Sequence, residues 1–113
     1  MHEMSLAENV REIIEDTGRK QGFARVVSVR LEIGKLSSVE PEAMRFCFDA
    51  AMAGSIAGQA KLEIVETPGQ GHCEDCGLDM GIESLYEACL HCGGYRIRVT
   101  GGGAMRIMDL EVE

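Results

Sequence analysis

Four of the five cysteines are arranged as Cys73-Glu-Asp-Cys76, twelve intervening residues, then Cys89-Leu-His-Cys92. Each Cys-x-x-Cys pair can form a knuckle that presents two sulfurs at about 2.3 Å from one metal, and two such pairs complete a tetrahedral shell suited to zinc. Cys73, Cys76, Cys89 and Cys92 are therefore read as ligands of a closed, structural Zn(II) site. With four protein ligands the ion keeps no open position for activating water or polarising a carbonyl. Two disulfides and a redox dithiol are the competing readings. Against them, nothing in the chain looks secretory, and neither pair opens a helix within a βαβ pattern. The fifth cysteine, Cys47, stands alone in a helical stretch and reads as a small core residue.

The second candidate is the start of the chain. His2 places an imidazole beside a terminal amine and two backbone nitrogens, a nitrogen-rich set that favours the square-planar field of Ni(II) or Cu(II) over Zn²⁺ or Mg²⁺. A solvated terminal histidine is the simpler reading of that residue alone. No catalytic signature accompanies either site. His2-Glu3 begins like a zinc-protease motif but lacks the second histidine, and Gly101 to Gly103 lacks the lysine and following helix of a phosphate-binding loop. The expectation is a protein that binds metal without catalysing a reaction.

Elements to carry these sites follow from periodicity. Ser5 and Glu8 have the spacing of a capping box, and Leu6, Val10, Ile13, Ile14 and Thr17 recur at helical intervals, with an end near Lys20 and Gly22. Residues 26–33 alternate, with Val27, Val29, Leu31 and Ile33 on one face. A loop from Lys35 to Val39 leads to Glu40-Pro41, where proline suits a first helical turn, and Met44, Cys47, Phe48, Ala51 and Met52 share the face of a second helix. Residues 60–66 form another alternating stretch, with Leu62 and Ile64 inward. Pro68 to Gly71 reads as a hinge, Tyr95, Ile97 and Val99 as a short strand, and Gly101 to Gly103 as a second flexible joint. Met108, Leu110 and Val112 alternate in a last strand, where Ile107 beside Met108 breaks the period.

The fold class expected is α+β: a three-stranded sheet covered on one face by two helices, with a four-cysteine, zinc-ribbon-like module inserted before the last strand. Residues 1–69 with 104–113 would form the first domain and 70–103 the module. So small a module, poor in large apolar groups, would depend on zinc for its folding free energy.

Composition narrows the function. The chain has 113 residues, no Trp and a net charge of −8. Nucleic-acid binding needs Lys or Arg to displace phosphate counterions. The loop between Cys73 and Cys92 offers none, only Glu74, Asp75, Asp79, Glu83 and Glu87. No apolar run is long enough to span a membrane, and the acidic start lacks the basic region of a signal peptide. Reduced cysteines point to the cytoplasm. A zinc-ribbon protein-interaction or transcription-type module and a Cys-x-x-Cys oxidoreductase are the alternatives from other functional classes.

Three stretches together resemble one family: Met-His-Glu-Met-Ser-Leu at the start, Gly-Lys-Leu-Ser-Ser-Val-Glu-Pro-Glu from Gly34 to Glu42 running on to Phe48, and the paired Cys-x-x-Cys. Over essentially its whole length the chain resembles the HypA/HybF family of hydrogenase nickel-incorporation proteins. The resemblance implies a carrier that delivers Ni(II) for maturation of [NiFe]-hydrogenase, with urease served by some members. It makes His2 the nickel ligand through side chain and backbone, gives Glu3 a backbone and outer-shell part, places Glu40 near the nickel, and assigns structural zinc to the four cysteines. The partners it implies are the GTPase HypB and the hydrogenase large subunit, and it leaves room for a homodimer. Bulky His2 would protect Met1 from removal. Some relatives carry histidine just after the cysteine pairs; here His72 precedes the first pair and His91 lies inside the second, so neither is assigned to zinc. Arg11 and Glu15 on the first helix are candidates for a docking surface beside the nickel end.

Overall fold

The computed structural model describes residues 2–113. Helix α1 spans His2–Gln21, β1 Val26–Gly34, α2 Pro41–Met52, β2 Lys61–Thr67, β3 Gly69–Cys73, β4 Asp79–Ile82, β5 Ile97–Gly101 and β6 Met105–Val112. The strands form two three-stranded sheets, ordered β2-β1-β6 and β4-β3-β5. The chain divides into two compact units, one comprising residues up to Leu31, Val39–Val65 and Arg106–Glu113, the other Glu32–Ser38 and Glu66–Met105.

In the first unit, α1 starts at His2 and not at Ser5, so Ser5 and Glu8 lie inside the first turns. An acidic residue, Glu3, occupies the first turn, where the helix dipole favours negative charge. The buried stripe is Ala7, Val10, Ile14 and Gly18, the i, i+3, i+7, i+11 line of one helix face. Ile13, expected inward, lies just outside that line and is 53% exposed. Gly22, with φ of 81°, ends the helix and donates its N–H to the Gly18 carbonyl at 2.8 Å.

Helix α2 follows the sequence closely. Glu40 is its N-cap with Pro41 in the first turn, and Met44, Cys47, Phe48, Ala51 and Met52 are its buried residues. Arg11 of α1 donates to the Ala51 carbonyl at 3.0 Å and the Ala53 carbonyl at 3.3 Å, satisfying acceptors that the end of α2 leaves unpaired. Val26, Val29 and Leu31 of β1 add to the core, while Val27 is only half-buried. Along β6 the alternation slips where expected, since Ile107 and Met108 are both half-buried.

The second unit departs further from expectation. In place of the hinge expected from Pro68 to Gly71, Gly69 to Gly71 open β3, the central strand of a sheet, paired antiparallel with β4 (Gly71↔Met80) and β5 (Gly71↔Val99). A Cβ at Gly71 would stand 2.5 Å from Ile97 Cγ2 and 3.2 Å from Ile82 Cδ1. Glycine here makes room for core side chains and does not break the strand. The core of this unit is Leu36, Cys73, Met80, Ile82 and Cys89 with Ile97 packed against them. Tyr95, expected in the strand, precedes it and is 75% exposed. The glycine joint is also bonded in place: Gly34 donates to the Ala104 carbonyl at 3.0 Å and Leu36 to that of Gly102 at 2.9 Å.

Candidate metal centres

Cys73 ends β3, and Cys76 follows on the turn that leads to β4. Cys89 and Cys92 sit on a second turn ahead of β5. The two turns share one construction. Gly77 and Gly93, each directly after the second cysteine of its pair, have φ of 79° and 76°. Each donates its N–H to the carbonyl of the first cysteine, Gly77 to Cys73 and Gly93 to Cys89, both at 2.9 Å. The left-handed glycine curls the backbone so that amides inside the turn face sulfur: Cys76 N–H approaches Cys73 Sγ at 3.5 Å and His91 N–H approaches Cys89 Sγ at 3.4 Å.

All four sulfurs lie within 4.8 Å of one another, with Cys73 to Cys92 and Cys76 to Cys89 both at 3.7 Å. A tetrahedron with metal–sulfur bonds of about 2.3 Å has sulfur–sulfur edges of about 3.8 Å, so the cage has the size that zinc requires. A disulfide would need about 2.05 Å, and all five cysteines are free thiols. Cys73 and Cys89 are buried while Cys76 and Cys92 are exposed, which places the cage at the rim of the second unit's core. Crowding and amide donors divide the protons unevenly. The N–H of Cys92, then that of His91, pull the Cys89 thiol down to about 6 against the cost of burial. At Cys76 the Leu78 amide also favours thiolate, but desolvation and the other three thiols outweigh it and push the group up to about 12. A divalent ion removes this competition, because it stabilises every thiolate at once.

The acidic loop is partly neutralised from β5 and the residue just before it, a feature hidden from the sequence because the arginines lie beyond the last cysteine. Arg98 Nε donates to Glu74 at 2.7 Å and Arg96 to Asp75 at 2.9 Å. The Arg98 bond, chiefly, holds the Glu74 carboxyl below the usual range. His72 is turned to Asp79, Nδ1 to Oδ1 at 2.7 Å, across the β3–β4 pairing, and His91 is exposed. Among the described residues, the metal-sized cluster contains the four cysteines and neither histidine.

At the other candidate centre the His2 side chain is 57% exposed and that of Glu3 only 15%, with His2 Nδ1 and Glu3 Oε2 3.8 Å apart. Glu3 is half-buried because its carboxylate reaches the start of α2 and accepts the Glu40 N–H at 3.2 Å. That bond is the main reason its pKa is lowered, followed by its own backbone N–H, with smaller help from the His2 ring. The Glu40 carboxylate is itself occupied, accepting the Ala43 N–H at 2.7 Å as the α2 cap. His2, Glu3 and Glu40 are thus linked in one row, while the Met1 amine lies outside the described residues. Sequence reasoning did not single out Gly77 and Gly93, although a repeated Cys-x-x-Cys-Gly was there to be read.

Comparison with known proteins agrees with this geometry. The family described as hydrogenase/urease nickel incorporation, metallochaperone, hypA matches residues 1–112. A hydrogenase maturation factor HypA from Albidiferax ferrireducens is 53% identical over 113 residues, 100% of both chains. The factor HypA 2 from Bradyrhizobium diazoefficiens is also 53% identical over 113 residues, again 100% of both. The fold is that of the Ni metallochaperone HypA from Helicobacter pylori in solution, with a TM-score of 0.75 at 24% identity over 97% of this chain and 96% of that one. A second HypA solution structure matches with a TM-score of 0.77 at 25% identity, covering 100% and 97% of the two chains. With a full-length family match, half-identical maturation factors and a four-thiol cage of zinc dimensions, the chain belongs to the HypA family of nickel-incorporation metallochaperones.

Proposed function

We propose that this protein is a carrier of Ni(II) for the maturation of [NiFe]-hydrogenase, acting in the cytoplasm without catalysing a reaction. In this reading the first unit holds the travelling nickel and the second holds a resident structural Zn(II) on Cys73, Cys76, Cys89 and Cys92. His2 supplies its imidazole, and the backbone nitrogens of His2 and Glu3 complete a nitrogen-rich set with the terminal amine. Nickel in transit is cargo; the zinc supplies folding free energy.

The observation that carries this reading is that α1 begins at His2. The first four N–H groups of a helix have no acceptor within it, so the amides of His2 and Glu3 can lose their protons to a metal without breaking a helical hydrogen bond. The same position weakens the site. A helix N-terminus carries roughly half a positive charge, which opposes a cation by an amount on the order of 0.3–1 kcal/mol. The Glu3 carboxylate, ionised and held by Glu40, offsets it. A site so exposed and so balanced suits ligand exchange with an acceptor over permanent retention. The acceptor in this reading is the hydrogenase large subunit, with urease as a second destination and the GTPase HypB as the partner that assists transfer.

Titrating untagged protein with Ni(II), alongside His2→Ala and with zinc measured in both, tests the assignment. Loss of nickel binding with zinc unchanged is expected. Equal nickel affinity in the two proteins would remove His2 from the site.

A further inference from the structure

Within the second unit, the two cysteine turns are tied together by contacts that involve no sulfur. Glu74 and Asp75, the residues between the cysteines of the first pair, both reach the segment that follows the second pair. Glu74 donates its N–H to the Arg96 carbonyl at 2.8 Å, and its carboxylate accepts Arg98 Nε at 2.7 Å. Asp75 Oδ1 accepts Arg96 Nη1 at 2.9 Å. The other Asp75 oxygen has a separate neighbour: a Cβ built on Gly94 would stand 2.5 Å from Oδ2 and 3.5 Å from the Asp75 Cγ.

Gly94 differs from the glycine before it. Gly93 has positive φ and Gly94 does not, so the backbone at 94 could carry a side chain. Its nearest obstacle after the Asp75 carboxylate would be Cys92 Sγ at 3.4 Å, an ordinary contact. What excludes a Cβ from this position is Asp75. Gly94 is also the backbone partner of both cysteines in the second turn: its carbonyl accepts the Cys89 N–H at 2.7 Å, and its own N–H bonds the Cys92 sulfur. From the first turn, the Asp75 side chain thus lies on the residue around which the second turn is built.

We propose that Asp75 is a positioning residue for the four-cysteine site: braced by Arg96, its carboxylate packs on Gly94 and latches the first cysteine turn to the second without ligating the ion. A four-thiolate site loses its metal one sulfur at a time, and groups outside the ligand shell govern how far a freed ligand can move. While the latch holds, a released thiolate stays beside the ion and rebinds; when it opens, the two turns separate and the ion passes to a competitor. A carboxylate next to four thiolates would repel them on its own, and Arg96 offsets that charge. The latch therefore slows zinc exchange and leaves the choice of metal to the sulfurs. This inference rests on the zinc reading given above.

The test uses full-length, zinc-loaded protein and follows zinc transfer to an excess of chromophoric chelator in Asp75→Ala, Gly94→Ala and the double variant. Each single substitution should speed transfer by about two- to fivefold, the scale of an exposed ion pair. Gly94→Ala displaces the carboxylate that Asp75→Ala removes, so the double variant should be no faster than Asp75→Ala alone. The pair is exposed, 72% at Arg96 and 37% at Asp75, so the advantage of wild type over Asp75→Ala should shrink as salt rises. A merely structural role would show no such salt dependence. Wild-type transfer in Asp75→Ala, or an equal effect of Gly94→Ala with and without Asp75, would overturn the latch. Zinc retained at wild-type stoichiometry by a Cys76→Ser, Cys92→Ser protein would remove the zinc reading instead. Amide exchange at Gly94, faster in Asp75→Ala than in wild type if the contact exists and unchanged if it does not, would still decide the latch.

Discussion

Replacing Gly93 by alanine isolates what the zinc knuckle asks of its backbone. At φ of 76° an alanine pays the left-handed penalty, about 1–2 kcal/mol, because its Cβ crowds the following carbonyl oxygen. No other penalty enters, since a Cβ built at Gly93 meets nothing within 4 Å. Folding of a small four-cysteine unit is coupled to metal binding, so the strain appears as lost zinc affinity. At about 1.4 kcal/mol per factor of ten, the loss is roughly five- to thirtyfold. Asparagine, which visits the left-handed region more readily, should lose less than alanine. Gly81→Ala is the control: its nearest neighbour would be the Gly69 carbonyl oxygen at 3.8 Å and its φ is not positive, so affinity should hold. Competition against a chromophoric chelator at fixed pH reads all three. Wild-type affinity in Gly93→Ala, or a larger loss with asparagine than with alanine, would refute the account of the knuckle.

Two further perturbations probe the first unit. Arg11→Ala removes the donor to the Ala51 and Ala53 carbonyls and should lower thermal stability by about 1 kcal/mol while leaving zinc stoichiometry unchanged; calorimetry with metal analysis checks both. Because Glu3 has its pKa lowered below 4.5 in the folded protein, its contribution is full above that value and is lost as pH falls through the depressed one. Wild type should therefore exceed Glu3→Gln in Glu40 amide protection at pH 6, and the difference should shrink as pH falls below 4; a difference that grew on acidification would contradict the sign.

What the sequence made legible was whatever a local pattern encodes. The buried face of α2 is the predicted one residue for residue, because Met44, Cys47, Phe48, Ala51 and Met52 follow a single period and Glu40-Pro41 fixes the start. The four cysteines and the β2-β1-β6 sheet were also within reach of spacing and alternation. The second sheet was not, because Gly69 and Gly71 carry no side chains with which to alternate; their burial comes from neighbours that occupy the space of a missing Cβ. Leu36 looked like a loop residue for a related reason. One apolar side chain between Lys35 and Ser37 has no periodicity, and only the core it enters, supplied largely by residues 73–89, gives it a role. Arg11, a candidate docking charge in the sequence, pairs with Glu15 at 3.6 Å and also bonds carbonyls forty and forty-two residues away, contacts that no local pattern encodes.

Under the proposed reading, one small chain must hold zinc permanently and nickel briefly, and the two candidate centres differ in the properties that would separate these tasks. Cys73 is 0% and Cys89 3% exposed, so releasing the ion between them requires opening the core to which both belong. The His2 side chain is 57% exposed and its neighbouring helical amides have no intrahelical partner to recover, so releasing an ion there requires only a competing ligand and protons. Ligand type sorts the ions in the same direction. Four cysteine sulfurs within 4.8 Å of one another, two of their separations at 3.7 Å, match zinc, whereas imidazole and amide nitrogens impose the planar field that nickel prefers. Burial then sets the lifetime and donor atoms set the identity, so neither site needs an additional selectivity element to keep cargo and structural ion apart.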